Sequence, residues 1–571
     1  MAPANITSLS HELITRIATH LTTSRHHGLL SFVLTCRLIS EPALDALWYK
    51  LCDITPLMLT LPPDLVAVSS PPDSLIRRHF VILRDPTTQD FHRFSSYARR
   101  IQVLDHRLPR GGYAMTQEIW DFIQVHAPKP LLPSLRILEH VERPFEGAPN
   151  RKRLLMVRTY PSSLSLEGVP DPCDLCAEPF FGQNLKHANI MQAAGEDSQI
   201  MLRALSFRSP HIESLGLTSF WGNIGEHELG VFSNLVRISA RNLESASAAA
   251  FWGLGTLPRL KEMTIHLNEG LMPLWDWDEH PHGRDAGLFP SLERLDVLAD
   301  DVDWFISFIR TVTSPSLASI TFKQSDGWMG PDICAAMCQE IVSLPSRDRL
   351  VFLSLSTSEF CRCNDPTSSA QIIAPLLTLR GLQHLRLGFQ SFFDDDMLDT
   401  MSLAWPDMRT LHLRWTKPSA CERPRLCQCE NPRVVHRKTP QASLVGLIPL
   451  VLRCTYLTEL GVPVDTRLKL DRTVRIIRHP PPELRSSRSL VHTFGAEGSM
   501  LGRDEPAFEI TPTFLSLLFP QLRMLRVGLP GKLWAAVGKR CLALSRVRGE
   551  ERRWADRGRF AASSKEIDDG E

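Results

Sequence analysis

The spacing of some cysteine and histidine residues is the feature of this sequence that most resembles a metal site. Cys173 and Cys176 form a Cys-x-x-Cys pair, which is half of a structural zinc site. A looser group downstream consists of Cys361, Cys363, Cys421, Cys427, Cys429 and His436. A zinc finger or ribbon needs a second pair at comparable spacing, and neither group supplies one. We therefore predict reduced thiols in loops and no bound metal, with zinc binding by either group as the alternative.

An acidic run is the second feature that could do chemistry. Asp394, Asp395 and Asp396 could hold a cation, but they stand between a predicted strand and a helix-like run. Carboxylates are stabilising at helix N-termini, so a solvated turn and helix start is the simpler interpretation. The sequence contains no Walker-type phosphate loop and no Gly-x-Ser-x-Gly nucleophile elbow. We therefore predict no catalytic residue, no cofactor and no enzymatic activity.

The overall composition narrows the class of protein. Of 571 residues, 43% are hydrophobic and 22% are charged, which is ordinary for a folded soluble protein. The 64 basic and 63 acidic residues leave a net charge of +1, which argues against a dedicated nucleic-acid binder. We see no secretory signal and no apolar stretch of about 18 residues, so we expect no membrane association. The 13 scattered cysteines then predict reduced thiols in the cytoplasm, the nucleus or both.

One short sequence motif, which we call the phrase, recurs along the chain and is the main indication of its architecture. It reads apolar-x-x-apolar-x-apolar, and a proline often stands two residues before it, as at Pro210, Pro258 and Pro406. The alternation at its end predicts a short strand with one buried face. Apolar runs before many copies predict helices, which the proline would end. The eleven copies are Leu135–Leu138, Ile212–Leu215–Leu217, Leu235–Ile238, Leu260–Met263–Ile265, Leu292–Leu295–Val297, Leu317–Ile320–Phe322, Leu350–Leu353–Leu355, Leu382–Leu385–Leu387, Met408–Leu411–Leu413, Leu457–Leu460–Val462 and Leu522–Leu525–Val527.

The spacing of the copies indicates a repeat architecture. From Ile212 the first positions advance mostly by 23 to 33 residues, which matches leucine-rich repeats. The last two steps, of 49 and 65 residues, predict two units each, with a degenerate copy near Leu490–Val491–Phe494. A strand plus a helix cannot bury its apolar face alone, so stacked neighbours would share one core. We predict an α/β fold, a leucine-rich-repeat solenoid (horseshoe) of strand–helix units, with an ordinary α/β domain as the alternative.

The residue between the last two apolar positions of each copy would point away from the core. We expect these residues on the concave sheet face, where solenoids bind partners, and their mixed chemistry favours no single ligand. A merely solvated face is the alternative. Trp275, Trp277 and His280, in the long segment 271–288, could be a further anchor, although packing against the array edge is favoured. The outward residues are Gly216, Thr264, Asp296, Thr321, Arg386, His412 and Arg526, the last six of which we assign to partner binding.

The first fifty residues have a separate character. The sequence predicts an amphipathic helix capped by Ser8 or Ser10, an apolar helix from Leu29 to Cys36, and a third helix near Glu41–Leu51. Three short helices are too few for a self-sufficient core, so their remaining apolar surface would need a partner or the repeats. The apolar stripe of the first helix is made of Leu9, Leu13, Ile17 and Leu21.

This N-terminal segment resembles the F-box. The family's pattern opens Leu-Pro-x-Glu-Leu, continues with an Ile and a Leu at helical spacing, and later shows Cys-Arg and a Trp. The chain departs from it at Ser10, where the family has Pro. The whole chain is similar to fungal F-box proteins with irregular leucine-rich repeats. The matching residues are Leu9-Ser10-His11-Glu12-Leu13, Ile17, Leu21, Leu29-Leu30, Cys36-Arg37 and Trp48.

The resemblance implies a non-enzymatic adaptor. The F-box of such proteins docks onto a Skp-type adaptor, which bridges to a cullin–RING ubiquitin ligase, and the repeats hold a protein substrate. A leucine-rich-repeat scaffold with a vestigial or ligase-independent F-box is the alternative. The residues implied in F-box packing or adaptor docking are Leu9, Ser10, Leu13, Ile17, Leu21, Leu29, Leu30 and Trp48. For Leu13 and Ile17, packing is the favoured role.

The sequence predicts four segments. Residues 1–55 would form the F-box-like domain, and residues 56–95 a linker and connecting segment with a proline-stiffened stretch at 61–73. Residues 96–530 would form the irregular repeat domain, with an irregular insertion from about 141 to 200, where the phrase is poorly kept. Residues 531–571 would form a cap helix and a disordered acidic tail. A basic localisation or nucleic-acid patch in 532–559 is a weaker alternative.

Overall fold

The structure is a computed structural model with two compact units, Met1–Pro273 and Leu274–Glu571. Within the described residues, no helix combines the length and the apolar character that crossing a lipid bilayer requires. The described residues are 10–24, 26–34, 36–69, 78–107, 113–114, 117–141, 180–191, 196–218, 229–243, 248–267, 287–299, 302–324, 328–329, 331–356, 359–360, 371–388, 393–413, 440–486, 489–497, 499–501, 505–526 and 532–568.

Three helices at the start of the first unit pack around a small core of their own, and we call residues 10–48 the helical module. The helices are α1 (His11–Ser24), α2 (His26–Val33) and α3 (Arg37–Trp48). The third helix starts earlier than the sequence predicts, because burial of Ile39 outweighs the hydrogen bond that Pro42 cannot donate inside the helix. The buried side chains of this core are Ile14, Ala18, Leu29, Ile39 and Ala43.

The rest of the first unit is built on a parallel sheet. Its strand order is β1-β4-β6-β7-β8-β9-β10 in the numbering that closes this paragraph. The second apolar position of each phrase lies beside its counterpart on the next strand, as Leu138, Leu215 and Met263 do in their strands. This stacking of one strand per phrase confirms the repeat prediction for this unit. The elements are β1 (Lys50–Leu51), α4 (Thr55–Met58), β2 (Val66–Ser69), β3 (Arg78–Ile82), α5 (Phe91–Ala98), β4 (Val103–Arg107), β5 (Tyr113–Ala114), α6 (Gln117–His126), β6 (Ile137–Val141), β7 (His187–Met191), α7 (Glu196–Arg208), β8 (Ser214–Thr218), β9 (Arg237–Leu243), α8 (Ala248–Gly255) and β10 (Glu262–Leu267).

Two strands of this sheet lie where the sequence predicts no copy of the phrase. In β4 the buried Leu104 is followed by His106 at the last apolar position. In β7 the second apolar position is occupied by Ala188, which is buried between Leu138 and Leu215 of the neighbouring strands. This strand falls inside the stretch 141–200 that was predicted to be irregular. A polar or small residue makes the phrase hard to recognise in the sequence. The backbone hydrogen bonds between neighbouring strands do not depend on that side chain, so the strands pair nevertheless.

A second, three-stranded sheet occupies much of the stretch predicted as a linker. Strand β2 pairs antiparallel with β3, and β3 pairs parallel with β5. Val66 and Phe80 are buried here. Arg84 forms ion pairs with Asp64 and Asp90, each at 2.8 Å. Within the stretch 56–95, predicted as a linker and connecting segment, residues 66–69 and 78–82 therefore form paired strands with packed apolar side chains.

The second unit repeats the same plan with eight strands in one parallel sheet. Their order is β11-β12-β14-β16-β17-β18-β19-β20 in the numbering below. Strand β19 stands in the longest gap between copies, where the sequence predicts a degenerate phrase near Phe494, and this prediction is confirmed. The prediction of two units in the 49-residue step is wrong, because β17 pairs directly with β18. The elements are β11 (Arg294–Ala299), α9 (Val302–Thr311), β12 (Ser319–Gln324), β13 (Trp328–Met329), α10 (Pro331–Ser343), β14 (Phe352–Ser356), β15 (Glu359–Phe360), β16 (His384–Gly388), α11 (Asp395–Ala404), β17 (Thr410–Leu413), α12 (Ile448–Arg453), β18 (Glu459–Gly461), α13 (Leu470–Arg478), α14 (Pro482–Ser486), β19 (Thr493–Gly495), α15 (Glu505–Leu518), β20 (Met524–Arg526) and α16 (Lys532–Asp568).

A single row of apolar side chains crosses the core of this unit, and we call it the buried row. Its members come from the second apolar position of each phrase, and each is paired in register with the next. Helices cover this face of the sheet, as when Phe305 of α9 stacks on Phe322 of β12 with ring centroids 4.4 Å apart. The buried row reads Leu295, Ile320, Leu353, Leu385, Leu411, Leu460 and Phe494, and it ends at Leu525, which is half-buried.

The three acidic residues Asp394–Asp396 lie at the N-terminus of α11. Asp394 caps the helix by accepting a hydrogen bond from Met397 N at 2.8 Å, as the helix-start interpretation predicts. Asp395 is not a solvated turn residue. Its carboxylate accepts hydrogen bonds from the amide and the hydroxyl of Ser443, each at 2.7 Å, and from Lys469 Nζ at 2.7 Å. Asp395 therefore ties two later segments of the second unit to α11.

The C-terminal helix α16 packs against the end of the second unit. Trp534 Nε1 donates to the carbonyl of Ser499 at 3.2 Å, and Ser545 Oγ donates to the carbonyl of Phe519 at 3.1 Å. The helix lies where the sequence predicts a cap for the array. It continues to Asp568, so the tail predicted to be disordered from residue 561 is helical over most of its length.

Candidate functional site

Apolar side chains remain exposed on the helical module although it has a core of its own. Leu13 is 47% exposed and Ile17 is 38% exposed, one helical turn apart on α1. Leu34, which follows α2, is 84% exposed, and Leu38 in α3 is 53% exposed. Single exposed apolar residues are normal, but four in so small a module make a candidate docking surface. We call Leu13, Ile17, Leu34 and Leu38 the apolar set.

The residues predicted for F-box packing or docking fall into different environments. Leu29 is fully buried in the core of the helical module, and Leu21 packs against that core. Leu13 and Ile17, for which packing is the favoured sequence interpretation, are instead partly exposed. Of the predicted stripe of α1, Leu13 and Ile17 are therefore exposed and Leu21 is partly buried, whereas the buried residues of this helix are Ile14 and Ala18.

The start of α1 holds the position where the sequence departs from the F-box pattern. Ser10 is exposed, and its hydroxyl accepts a long hydrogen bond from Leu13 N at 3.4 Å. Serine at this position thus acts as a weak helix cap. Leu30 lies within α2. Leu9 lies outside the described residues.

Trp48 joins the helical module to the rest of the first unit. Its ring stacks on Tyr97 with centroids 4.4 Å apart. Arg100 donates hydrogen bonds to Glu41 at 2.6 Å and to Asp45, both on α3. Burial disfavours the charge of Arg100, yet these hydrogen bonds hold its pKa above the ordinary value. A stacked pair and a paired cation therefore fasten the module to α5 and to the turn that follows it.

The outward residues predicted for partner binding lie on the face of each sheet opposite the buried side chains, which we call the open face. In the first unit Thr264 stands beside Ser239, which stands beside Gly216. In the second unit the predicted residues share one register row, the middle row. This arrangement follows from the alternation of side chains along a strand, and their role in binding stays a prediction. The middle row reads Asp296, Thr321, Ser354, Arg386, His412, Gly461, Gly495 and Arg526.

A depression of about 320 Å³ lies on the open face of the second unit. In strand order, Arg386 and His412 line one side of it and Arg526 the other, with Gly461 and Gly495 between them. The two adjacent glycines present only backbone, so this part of the middle row is open between long side chains. Sequence reasoning missed both glycines, although each stands at the middle position of its phrase.

Two histidines and a glutamate form hydrogen-bonded pairs on the same face. His412 Nε2 lies 3.2 Å from Glu459 Oε2, and His384 Nδ1 lies 3.1 Å from Thr410 Oγ1. Burial lowers the pKa of both histidines, and nearby arginine charges lower it further. Burial raises the pKa of Glu459, but the His412 hydrogen bond and two arginine charges leave this pKa below its ordinary value. At neutral pH the two histidines are therefore uncharged, whereas Glu459 and the nearby arginines are charged.

The two arginines of the depression have different surroundings. The guanidinium of Arg386 lies over the ring of Phe352, with its carbon 5.9 Å from the ring centroid. Arg526 is exposed at the far side of the depression. Within the described part of the chain, no carboxylate forms an ion pair with either. By contrast Arg310 and Arg453 are paired with acidic side chains at 2.5 and 2.7 Å.

Metal and thiol chemistry find no support among the described residues. These residues contain no group of three or more histidine, cysteine or acidic side chains arranged for a metal ion. The cysteine groups singled out in the sequence, together with Trp275, Trp277 and His280, lie outside the described residues. Burial raises the pKa of Cys338 and of Cys454 to about 12, so these thiols stay protonated at neutral pH.

Comparison with known proteins adds little to this description. No family model matches the chain. No curated protein matches it either. Among solved structures, the chain is similar to an internalin from Listeria monocytogenes, at 12% identity and a TM-score of 0.33, over 62% of this chain and 83% of that one. A similarity this low carries no argument, so the leucine-rich-repeat character of the fold rests on the strand register itself.

Proposed function

We propose that this protein is the substrate-recognition adaptor of a Skp–cullin–F-box type ubiquitin ligase. In this proposal the helical module docks onto a Skp-type adaptor, and the repeat array binds a protein substrate on its open face. The observation that carries the proposal is the apolar set, four exposed apolar side chains on a module that already has its own core. A partner that covered them would gain about 25 cal/mol for each Å² of apolar surface removed from water.

The attachment of the module also supports this proposal. Trp48 and Arg100 join the helical module to α5 and to the turn after it. An adaptor bound to the module would therefore be attached to this part of the first unit. In a ligase, such tethering raises the effective concentration of substrate lysines near the ubiquitin-loading enzyme. The chain itself makes and breaks no covalent bond in this proposal, which makes it a non-enzymatic adaptor.

Calorimetric titration of the full chain with a purified Skp-type adaptor tests the docking step. Leu13→Ser combined with Leu34→Ser removes two exposed apolar side chains and should weaken binding at least tenfold, with the melting temperature nearly unchanged. Phe207→Ser is the matched control, because Phe207 on α7 is 87% exposed and does not belong to the module. Equal binding by all three proteins, or equal weakening by the control, would contradict the proposal.

A ligase-independent repeat scaffold is the second candidate function. Ser10, which replaces the proline of the F-box pattern, is the observation that favours it. Addition of a cullin–RING complex to the adaptor-bound chain separates the two candidates. Recruitment of the cullin supports the ligase role, whereas adaptor binding without cullin recruitment supports the scaffold.

A further inference from the structure

The depression on the open face of the second unit has a floor without side chains. A Cβ atom at Gly461 would lie 2.6 Å from His412 Nδ1, and one at Gly495 would lie 3.2 Å from the Cα of Gly461. The first distance is shorter than real Cβ contacts, so the ring of His412 rests directly against Gly461. Any side chain at Gly495 would project into the depression. Two neighbouring glycines therefore keep open the space between His412 and Arg526.

Arg386 and Arg526 are the cationic side chains around this floor, and the acidic side chain of Glu497 also lines the depression. Arg386 is held over the ring of Phe352, which fixes its position without neutralising its charge. Arg526 closes the other side of the depression. The charges of both arginines act on His412 and on Glu459, so their fields converge over the floor. The carboxylate of Glu459 is hydrogen-bonded to His412 at 3.2 Å, and the described residues show no ion pair between it and either arginine.

We propose that this depression binds the anionic group of one acidic side chain, a carboxylate or a phosphate, on the protein that the array captures. Arg386 and Arg526 supply the binding cations, and the backbone of Gly461 and Gly495 gives the anion room to approach. Guanidinium groups bind carboxylate and phosphate oxygens through two parallel hydrogen bonds, which suits this pairing. This inference depends on the proposed function in one respect only, namely that the repeat array binds a protein.

Size and charge favour a protein side chain as the occupant. A volume of about 320 Å³ stands at the lower end of the range for ligand pockets, so it suits one side chain with its flanking backbone. A nucleic acid would require a row of phosphate contacts and a basic surface. The whole chain has a net charge of only +1, and the middle row also contains Asp296. A single anionic group on a polypeptide therefore fits better than a phosphodiester backbone.

Titration with short peptides tests this inference without any natural partner. The full chain is titrated at low ionic strength with capped pentapeptides that carry serine, glutamate or phosphoserine at the centre of four glycines. We expect the glutamate or the phosphoserine peptide to bind at least tenfold more tightly than the serine peptide, and the stronger of the two identifies the anion. Arg386→Gln and Arg526→Gln should each abolish this preference.

A matched control removes a positive charge from the same face outside the depression. Lys323 on β12 is exposed and does not line the depression, so Lys323→Gln should leave the preference intact. Equal binding of all three peptides, an equal loss in Lys323→Gln, or tighter Arg526-dependent binding of a short oligothymidylate would overturn the inference. Normal binding of the Skp-type adaptor in the same preparation would show that only the anion site has failed, and not the proposed function.

Discussion

At the scale of single residues, neighbouring positions in a strand have opposite roles. Leu385 is fully buried in the buried row, whereas the next residue, Arg386, faces the depression on the open face. Buried and outward side chains therefore alternate along one strand, and the proposed recognition would depend on different residues from those that stabilise the core. This separation allows the open face to vary in chemistry while the core stays leucine-rich.

Leu385→Ala should reduce the free energy of unfolding by about 2–5 kcal/mol, because it leaves a cavity between Leu353 and Leu411. Denaturant unfolding of the full chain measures this loss. Arg386→Ala is the control at the adjacent position, and we expect it to cost less than about 1 kcal/mol because its side chain is exposed. Similar losses for the two variants would mean that the strand is not oriented as described.

At the scale of elements, the repeat phrase predicted the strands well because it records burial directly. All eleven copies found in the sequence coincide with strands, and the degenerate copy at Phe494 does as well. Strands β4 and β7 could not be recognised, since His106 and Ala188 interrupt the apolar pattern. The pair of strands at 66–82 was missed because the nearby prolines favoured a linker, whereas long-range pairing of two strands leaves no local signal.

The sequence predicted which face of the sheet the candidate site residues occupy, but not which of them lie close together. The period-two rule assigned Arg386, His412 and Arg526 to one face, and the register of the sheet places them in one row. The depression between them depends on Gly461 and Gly495, which only the pairing of β18 with β19 brings together. Contacts between strands many residues apart are not encoded in any local pattern.

The role of Asp395 in joining α11 to two later segments can be tested by substitution. Asp395→Ala removes the acceptor for the amide and hydroxyl of Ser443 and for Lys469. We expect a loss of about 1–3 kcal/mol, because buried donors are left without partners. Thermal or denaturant unfolding of the full chain is the measurement.

The control for this prediction is the next residue of the same acidic run. Asp396 is exposed on α11, so Asp396→Ala should change the free energy of unfolding by less than about 0.5 kcal/mol. If the two alanine variants unfold alike, Asp395 does not tie the later segments to α11.

At the scale of the whole molecule, the chain combines a three-helix module with two repeat-bearing units. The module differs from the repeats in kind, since it keeps its own core and leaves the apolar set exposed. In the proposed function, the resemblance of this segment to the F-box is the reason to expect a Skp-type adaptor as its partner. The repeats supply a separate surface, so adaptor binding and substrate binding would involve different parts of the chain.

Hydrogen exchange of the full chain, with and without a Skp-type adaptor, tests the central claim most directly. The account predicts that the adaptor slows exchange in peptides of residues 10–48, strongest around Leu13 and Leu34, and leaves peptides of β11–β20 unchanged. Slowed exchange confined to the repeat strands, or no change in residues 10–48 at saturating adaptor, would contradict it.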